Sequence, residues 1–304
     1  MTYNKEITVI IPHRNSLSFL PKLFSTIPKD ERLEIILVDN SPKPISKDDI
    51  GIDREYTLIF SSPERGAGGA RNEGVKNAKG KWLVFADADD FFTENAFDSF
   101  FSHIDSSHDV IYFGMNGVYV DTGEYSDRGD QYTNMVKQYL SGQLEEEYLR
   151  YFFASPCSKM VKQSLVTEHN ILFDEVKANN DDYFALMVGY YAKSIGADDK
   201  VVYTATVSRG SISNKRDAGS IQSRYGVLLR INSFLKKHNL NQYQRSVANC
   251  LLQALRVSPR LFFHFIFQAI KNKQNLFIGW KNWSGTARKI KNKEKKNTKY
   301  ITYE

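Results

Sequence analysis

The chain has 304 residues, of which 41% are hydrophobic and 25% charged, as is usual for a globular protein with a sizeable core. Its two cysteines, Cys157 and Cys250, are too few for a disulfide framework or a zinc site, so a reducing cytoplasm is the expected compartment. The net charge of +6 equals the excess of bases over acids in residues 284–299. The rest of the chain is therefore close to neutral, and a nucleic-acid partner is not indicated.

The first residues, MTYNKEITVIIPHRN, predict a core strand and not a signal peptide, because no apolar stretch precedes a cleavage site. Apolar runs predict buried strands over residues 7–12, 33–38, 57–61, 82–86 and 109–113. Because helical segments separate these strands, they predict a parallel sheet that is covered on both faces. Ligands of such sheets bind beyond the carboxyl ends of the strands, so the polar residues there are the candidate site.

The helices of the first half are predicted to begin at Ser16 and Thr93, as N-caps, and to cover residues 67–79. Residues 115–150 lack a clear period and predict loops or an antiparallel excursion. Further helices are expected over residues 155–172, 181–191, 220–238 and 242–256, and a strand over 201–208. No window reaches the roughly 18 continuous apolar residues of a membrane-spanning helix.

The strongest chemical signal is the acidic cluster in FADADD, residues 85–90, which follows a predicted core strand. Three carboxylates so close together repel one another unless a cation or abundant water is nearby. A hard divalent cation prefers oxygen ligands, so Asp87 and Asp89 are candidates to hold Mn²⁺ or Mg²⁺ on the diphosphate of a nucleotide sugar. The structural alternative is an acidic turn in which Asp90 or Thr93 caps the next helix.

The glycine-rich segment ERGAGGARNEG, residues 64–74, lets the backbone approach a ligand closely at Gly66 and its neighbours. It lacks the Gly-Lys-Ser/Thr ending of a P-loop. Arg71 lies one helical turn from Ala67, where it can reach a phosphate or the Asp87 cluster. The alternative is a flexible loop with Arg71 on a solvated helix face.

Two other carboxylate positions are candidates. Asp39 ends a predicted strand and can accept from a base imide or a ribose hydroxyl, although a turn with Asn40 and Ser41 explains it equally well. Asp181 and Asp182 open a predicted helix, where one of them can deprotonate an acceptor hydroxyl. Helix capping is the structural alternative for this pair.

Together these segments resemble the family 2 glycosyltransferases of the GT-A fold, of the bacterial cell-surface polysaccharide type. ITVIIPHRN is similar to the family's strand-Pro-x-x-Asn opening, and EIILVDN to its strand that ends in a nucleotide-contacting aspartate. GAGGARNEGVKNAKGKWLVFADADD is similar to its Ala-Arg-Asn-x-Gly helix, strand and DxD motif. The order and spacing of the three blocks are specific, and the resemblance covers about residues 5–215.

The resemblance implies an α/β catalytic domain over residues 1–215 with a Rossmann-like, mostly parallel sheet, a helical extension over 216–283 and a basic tail over 284–304. It implies an inverting transfer from a nucleotide-diphosphate sugar, with a UDP-sugar expected, to a hydroxyl of a glycan or lipid-linked acceptor. The implied metal ligands are Asp89 and Asp87, for Mn²⁺ or Mg²⁺. The implied donor contacts are Pro12, Asn15, Asp39, Gly66, Arg71, Asp87, Ala88, Arg209 and Ser211.

The chain departs from the family pattern at three places. Asp181-Asp182 stands where Glu-Asp is usual; Asp182 is the expected base, and Asp181 stays open for that role. His13-Arg14 replaces the common Thr-Tyr and removes an aromatic side chain that could stack on the nucleobase. Asn40-Ser41-Pro42 replaces the frequent Asp-Gly-Ser that follows the nucleotide aspartate. The last two changes leave the donor nucleotide open.

The segment Leu261–Trp280 combines aromatic residues with flanking bases, and a lysine-rich tail follows. This pattern predicts an anchor for anionic lipid, so the expected location is peripheral, on the inner face of the cell membrane. The alternative is a helical pair that packs on the catalytic domain.

Other functions fit less well. A nucleotidyltransferase, or another metal-dependent nucleotide-sugar enzyme of related fold, would want a glycine-rich loop after the first strand, and residues 12–15 contain no glycine. A haloacid-dehalogenase-like phosphatase would place its DxD after the first strand and not the fourth. A non-catalytic membrane-surface or nucleic-acid-binding protein would leave the acidic clusters unexplained.

Overall fold

In the computed structural model, which describes residues 4–207, 217–276 and 278, the chain divides into two units. The first comprises residues 4–176 and 180–207, and the second comprises residues 177–179 together with the described residues from 217 onwards. The first unit contains the predicted sheet, and the second is helical.

Within the described residues, nine strands of the first unit form one sheet in the order β3-β2-β1-β4-β8-β6-β9-β5, with β7 paired to β6. The pairs among β1 to β4 and the pair β6–β9 are parallel, whereas β8, β5 and β7 run antiparallel to their neighbours. The strands are β1 Lys5–His13, β2 Leu33–Asp39, β3 Thr57–Phe60, β4 Gly80–Phe85, β5 Phe91–Phe92, β6 Val110–Tyr119, β7 Tyr125–Ser126, β8 Lys159–Lys162 and β9 Ile195–Val207.

Eight described α-helices cover this sheet. They are α1 Leu20–Ser25, α2 Lys47–Ile50, α3 Gly66–Asn77, α4 Ala96–Phe101, α5 Asp130–Leu140, α6 Glu146–Phe152, α7 Gln163–Glu168 and α8 Asp182–Tyr191. Alternate residues of the central strands enter two separate hydrophobic clusters, with Val9 and Trp82 in one and Ile10 and Phe85 in the other. The sheet is therefore buried on both faces, which is why its strands have near-continuous apolar sequences.

The register of the central strands places the candidate residues at one edge. In β1, His13 lies opposite Asp39 of β2, and Ile10 lies opposite Phe85 of β4. Because these three strands are parallel, the residues that follow Phe85 lie at the same edge as His13 and Asp39. The predicted mostly parallel α/β sheet is confirmed.

Several local predictions are wrong. Ser16 makes no side-chain capping bond, and its hydroxyl donates to the Arg14 carbonyl at 2.9 Å. Thr93 does not cap α4 either, because its hydroxyl donates to the Val201 carbonyl at 2.6 Å, next to the β5–β9 pairing. Residues 155–172 form β8 and then α7 instead of one helix. In residues 115–150 the predicted antiparallel excursion is present as the pairing of β7 with the end of β6, whereas α5 and the start of α6 stand where loops were the alternative.

The second unit contains α9 Ala218–Lys237, α10 Ala248–Val257 and α11 Pro259–Lys271, so the two helices predicted before residue 257 are present. Its core includes Tyr225 stacked on Phe265, with ring centroids 4.0 Å apart. The Tyr225 hydroxyl also donates to the Phe265 carbonyl at 2.6 Å. Among the described residues, no helix is long and apolar enough to cross a membrane.

Candidate active site

The acidic cluster lies directly after β4, and its three carboxylates differ in exposure. Asp87 is partly exposed, Asp89 is exposed and Asp90 is buried, while Ala88 between them is also buried. Only Asp87 and Asp89 are therefore available to a ligand. The loss of hydration at this turn and the neighbouring Asp87 carboxylate raise the pKa of Asp89, so a bound cation would stabilise its ionised form.

Asp90 fastens the acidic turn to β9. Its carboxylate accepts from the Tyr203 hydroxyl at 2.9 Å and from the Thr206 amide at 2.6 Å. The same Tyr203 oxygen accepts from the Asp87 amide at 2.8 Å, so one phenol links both ends of the turn. Burial, together with the charges of Asp87 and Asp89, raises the pKa of Asp90. These contacts make Asp90 a structural anchor for the two accessible carboxylates.

Arg71 connects this turn to the second acid pair. It is only 5% exposed, so it does not lie on a solvated helix face. Its Nη2 forms an ion pair with the Asp87 carboxylate, and its Nη1 donates to Oδ1 of Asn180 at 2.7 Å. Burial alone would lower the pKa of Arg71, but Asp87, Cys157 and Asp181 outweigh it and raise the pKa further above its ordinary value. Arg71 is thus a buried cation between two acidic segments.

The helix that carries Arg71 is held closely against the segment before α8. A Cβ atom at Gly68 would overlap the carbonyl oxygen of Asp174, so only glycine fits there. Asn72 donates from Nδ2 to the Phe173 carbonyl at 3.0 Å, and its Oδ1 accepts from the Phe173 amide at 2.8 Å. At Gly68 the glycine-rich sequence therefore serves helix packing.

Gly66, at the start of α3, has a φ of +60°, which favours glycine at this turn. A donor contact at Gly66 stays a prediction.

Asp181 and Asp182 lie at the start of α8, immediately after Asn180. Asp181 occupies the N-cap position but makes no side-chain capping bond, so capping does not explain its presence. Burial and the adjacent Asp182 carboxylate raise the pKa of Asp181, whereas the Arg71 cation lowers it. The base role of either acid stays a prediction, with Asp182 as the expected residue.

Asp39 is buried at the end of β2 and accepts four hydrogen bonds. Its Oδ1 accepts from His13 Nδ1 at 2.9 Å, the Ser41 hydroxyl at 2.6 Å and the Ser41 amide at 3.1 Å. Among the described residues, its Oδ2 accepts only from the Ile45 amide, at 3.1 Å, so this oxygen keeps capacity for a further donor. Burial would raise the pKa of Asp39, but the bonds from Ser41, His13 and Ile45 outweigh it and lower the pKa.

His13, which stands where the family commonly has threonine, has a structural role. Its Nε2 accepts from the Ser16 amide at 3.0 Å, which places the ring proton on Nδ1 and makes it the donor to Asp39. The turn after His13 also contacts the hydrogen-bond network around Asp39. The backbone amide of Asn15, which has a φ of +52°, donates to the Ser41 hydroxyl at 3.0 Å. Pro12 is buried beside them in β1.

The accessible carboxylates fit a divalent cation whose other ligands come from a substrate. Among the described residues, no three His, Cys, Asp or Glu side chains are grouped to hold a metal. One Asp87 oxygen is engaged by Arg71, which leaves its other oxygen and the exposed Asp89 carboxylate. Mg²⁺ usually binds one or two protein carboxylates plus substrate phosphates and water, so this donor set suffices.

Two predicted donor contacts, Arg209 and Ser211, lie outside the described residues. Two side chains that connect the site were missed from the sequence: Asn180, which accepts from Arg71, and Tyr203, which links the acidic turn to β9. Asn180 directly precedes the acid pair, and that position was the one available signal for it.

The family model for glycosyl transferase family 2 matches residues 8–169, which is more than half of the chain. The chain therefore belongs to glycosyl transferase family 2.

Two relatives illustrate the range of similarity. EpsH of Bacillus subtilis is 22% identical over 229 residues, which are 71% of this chain and 65% of EpsH. TarS of Staphylococcus aureus, a poly(ribitol-phosphate) β-N-acetylglucosaminyltransferase, is 24% identical over 222 residues, which are 67% of this chain but 36% of TarS. The match thus spans between about a third and two thirds of these relatives.

Solved structures show the same fold. The crystal structure of TarS residues 1–349 with UDP-GlcNAc superposes with a TM-score of 0.67 at 22% identity, over 88% of this chain and 81% of that one. The mannosyltransferase PcManGT from Pyrobaculum calidifontis, in complex with GDP-Man and Mn²⁺, gives a TM-score of 0.55 at 15% identity, over 94% of this chain and 85% of that one. The GT-A architecture expected from the sequence is confirmed.

Proposed function

We propose that this chain is an inverting glycosyltransferase that moves a sugar from a UDP-sugar to a hydroxyl of a glycan or lipid-linked acceptor in surface polysaccharide synthesis. The observation that carries the proposal is the buried Arg71 guanidinium, which contacts both Asp87 and Asn180. One cation therefore fixes a metal-binding carboxylate on the donor side and the residue before the acid pair on the acceptor side. Family membership and the UDP-GlcNAc complex of the similar TarS structure support the donor class.

On the donor side, Asp87 and Asp89 would hold Mn²⁺ or Mg²⁺. When bound, the ion neutralises the charge that develops on the leaving diphosphate. Arg71 holds the Asp87 carboxylate in place, and Asp90 holds the turn through Tyr203 and Thr206. These residues orient the ligand carboxylates before a substrate arrives, which lowers the cost of organising the site during the reaction.

On the acceptor side, Asp182 accepts the proton of the acceptor hydroxyl. The hydroxyl oxygen forms a bond to the anomeric carbon while the bond from that carbon to the diphosphate oxygen breaks on the opposite face, which inverts the configuration. A carboxylate whose pKa is raised is a stronger base but is protonated over more of the acid range. Asp181, whose pKa is raised, is the alternative base.

At the nucleotide, the Oδ2 atom of Asp39 is the proposed acceptor for the imide or a ribose hydroxyl. The four hydrogen bonds to Asp39 keep it ionised and fix its orientation. His13 supports Asp39 from the side instead of stacking on the base. Pro12, Asn15, Gly66, Ala88, Arg209 and Ser211 complete the proposed set of donor contacts.

The proposed place of action is the cytoplasm, peripheral on the inner face of the cell membrane, where a lipid-linked acceptor would be presented. Leu261–Trp280, rich in aromatic and basic residues, and the basic residues 284–304 support this location.

The test is a sugar-transfer assay with UDP-sugars, Mn²⁺ and a soluble glycan acceptor, comparing Asp89→Ala, Asp182→Asn and Asp181→Asn with the wild type. We expect Asp89→Ala and Asp182→Asn each to lower kcat/KM by about a hundredfold or more. Asp89→Ala removes a proposed ligand of the metal that stabilises the leaving diphosphate, and removal of a general base, as in Asp182→Asn, costs roughly 10²–10⁴-fold. Asp105→Asn is the matched control, because the Asp105 side chain is 97% exposed. Undiminished transfer by Asp89→Ala or Asp182→Asn would remove that residue from the mechanism. Release of sugar 1-phosphate instead of UDP would show that the acceptor attacks the α-phosphorus, and would replace sugar transfer by nucleotidyl transfer.

A further inference from the structure

Helix α11 exposes a stripe of large apolar side chains. Phe263, Phe267 and Ile270 are 67%, 64% and 64% exposed, although side chains of this size are usually buried. Their spacing of four and three residues places them on one face of the helix. The opposite face is occupied, because Phe265 and Ala269 are buried in the core of the second unit. The helix thus has two apolar faces, of which one is packed.

Basic side chains border this stripe. Arg260 and Lys271 are exposed and lie one helical turn before Phe263 and after Phe267, on the same side of α11. Lys273, just beyond the helix, is also exposed. An exposed apolar stripe next to cations is the pattern of a helix that lies in the membrane interface, with its aromatic residues among the acyl chains and its bases near the headgroups.

The charge of residues 217–276, which form most of the described second unit, matches the same partner. Residues 217–276 contain nine Lys or Arg and one acid, Asp217, and the next acidic residue in the sequence is Glu294. This long acid-free stretch gives a field that attracts anionic surfaces in general. A nucleic acid would use the charge but would leave the phenylalanine and isoleucine side chains in water, so the apolar stripe favours lipid.

We propose that the α11 stripe, Phe263, Phe267 and Ile270 with the flanking Arg260 and Lys271, binds the surface of a membrane that contains anionic lipid. This deepens the proposed location at the membrane by assigning the contact to one helix face. It is independent of the sugar-transfer chemistry, because vesicle binding is measured without turnover. Recognition of one particular headgroup is not required. Negative headgroups complement the basic residues, and acyl chains complement the apolar stripe.

The experiment is co-sedimentation of the full chain with vesicles of equal parts phosphatidylglycerol and phosphatidylcholine, and with phosphatidylcholine alone. We expect the wild type to bind to the anionic vesicles only. The triple variant, Phe263→Ser with Phe267→Ser and Ile270→Ser, should bind about a thousandfold more weakly, at about tenfold for each side chain. Arg260→Glu with Lys271→Glu should weaken binding by about fivefold or more for each residue.

Matched controls separate the stripe from general effects. Leu140→Ser removes an apolar side chain that is 51% exposed on α5, and Lys29→Glu with Lys43→Glu reverses two exposed bases of the first unit. These controls should bind like the wild type. Unchanged thermal unfolding and unchanged transfer to a soluble acceptor show that the stripe variant is folded.

Three results would overturn the proposal. Wild type that does not sediment with anionic vesicles excludes a membrane contact. Equal vesicle binding by the stripe variant, with loss only on charge reversal, shows that the basic residues alone make the contact and that the apolar stripe has no part in it. A wild-type oligomer that becomes monomeric on stripe substitution, with no vesicle binding by either form, assigns the stripe to a second copy of the chain. A failure of sugar transfer would overturn the proposed function without affecting the measurements of vesicle binding by the wild type, vesicle binding by the variants and oligomeric state.

Discussion

The two units of the chain carry opposite charge. Residues 4–176 and 180–207 contain 20 Lys or Arg against 32 Asp or Glu, whereas residues 217–276 contain nine against one. Outside residues 284–299 the chain as a whole is close to neutral. That neutrality arises because the negative charge of the first unit largely offsets the positive charge of the second. An excess of acid suits a site that binds cations, and an excess of base suits an anionic surface.

The units also differ in what fixes their functional residues. In the first, polar side chains are buried and paired. Arg71 forms an ion pair with the accessible Asp87, and Asp90 fixes the turn that carries both accessible acids by its hydrogen bond from Tyr203. In the second, the buried contacts are mainly apolar, as with Tyr225 on Phe265, and the candidate binding residues lie on the surface. Substitution of buried residues should therefore lower catalytic activity in the first unit, whereas in the second unit it should lower only stability.

The largest expected effect is that of Arg71→Met. It leaves the Asp87 carboxylate and the Asn180 amide without their buried cation. Removal of one member of a fully buried ion pair costs about 3–5 kcal/mol, and the cost here is smaller because Asp87 is partly exposed and stays partly hydrated. We expect a loss of unfolding free energy in urea and a fall in kcat/KM of about a hundredfold or more. The fall is expected because Asp87, and Asn180 before the acid pair, both lose the contact that holds them in position. Wild-type activity in this variant would contradict the role assigned to Arg71.

A smaller effect is expected from Gly68→Ala. The added Cβ overlaps the Asp174 carbonyl, so α3 must shift from the segment before α8 at a cost of about 1–3 kcal/mol. Urea unfolding measures the loss, and the kinetics should show a reduced kcat. Gly226→Ala, at a position in α9 with open space around it, is the matched control and should be neutral or slightly stabilising.

Ser41→Ala tests the network around Asp39. The Ser41 hydroxyl donates to the Asp39 carboxylate, so its loss raises the pKa of Asp39 toward the ordinary value and costs about 1.5 kcal/mol at neutral pH. Since the folded pKa is lowered, the stabilisation is present above the unfolded pKa and is lost as the pH falls through the folded pKa. Unfolding followed between pH 7 and pH 2 should show the largest deficit at neutral pH, and a deficit that grows on acidification would contradict this account.

The smallest effect is expected in the second unit. Tyr225→Phe removes the bond from the Tyr225 hydroxyl to the Phe265 carbonyl, at a cost of about 1 kcal/mol. Transfer to a soluble acceptor should not change, and thermal unfolding should show the loss. A fall in kcat comparable with that of Gly68→Ala would contradict the proposal that buried residues of the second unit contribute to stability and not to activity.

The sheet edge could be predicted from the sequence because its signals are local. Apolar strands that end in Asp39 and before Asp87 identify the edge without knowledge of any distant contact. Arg71 and Asn180 are 109 residues apart, and nothing in either segment alone indicates that they meet. Residues 155–172 were predicted as one helix because the four-residue strand β8 has too short a pattern to distinguish from a helical turn. Thr93 resembles an N-cap in sequence, but pairing with β9 takes its hydroxyl.

The central claim, a metal-dependent nucleotide-sugar site at Asp87 and Asp89, is tested most directly by thermal unfolding with nucleotides. UDP at about 100 times its dissociation constant should stabilise the wild type by about 2.7 kcal/mol in the presence of Mn²⁺ and much less with chelator. Asp89→Ala should lose this stabilisation, and Asp105→Asn should keep it. Stabilisation by UDP that is the same with Mn²⁺ and with chelator, or that Asp89→Ala retains, would contradict the claim.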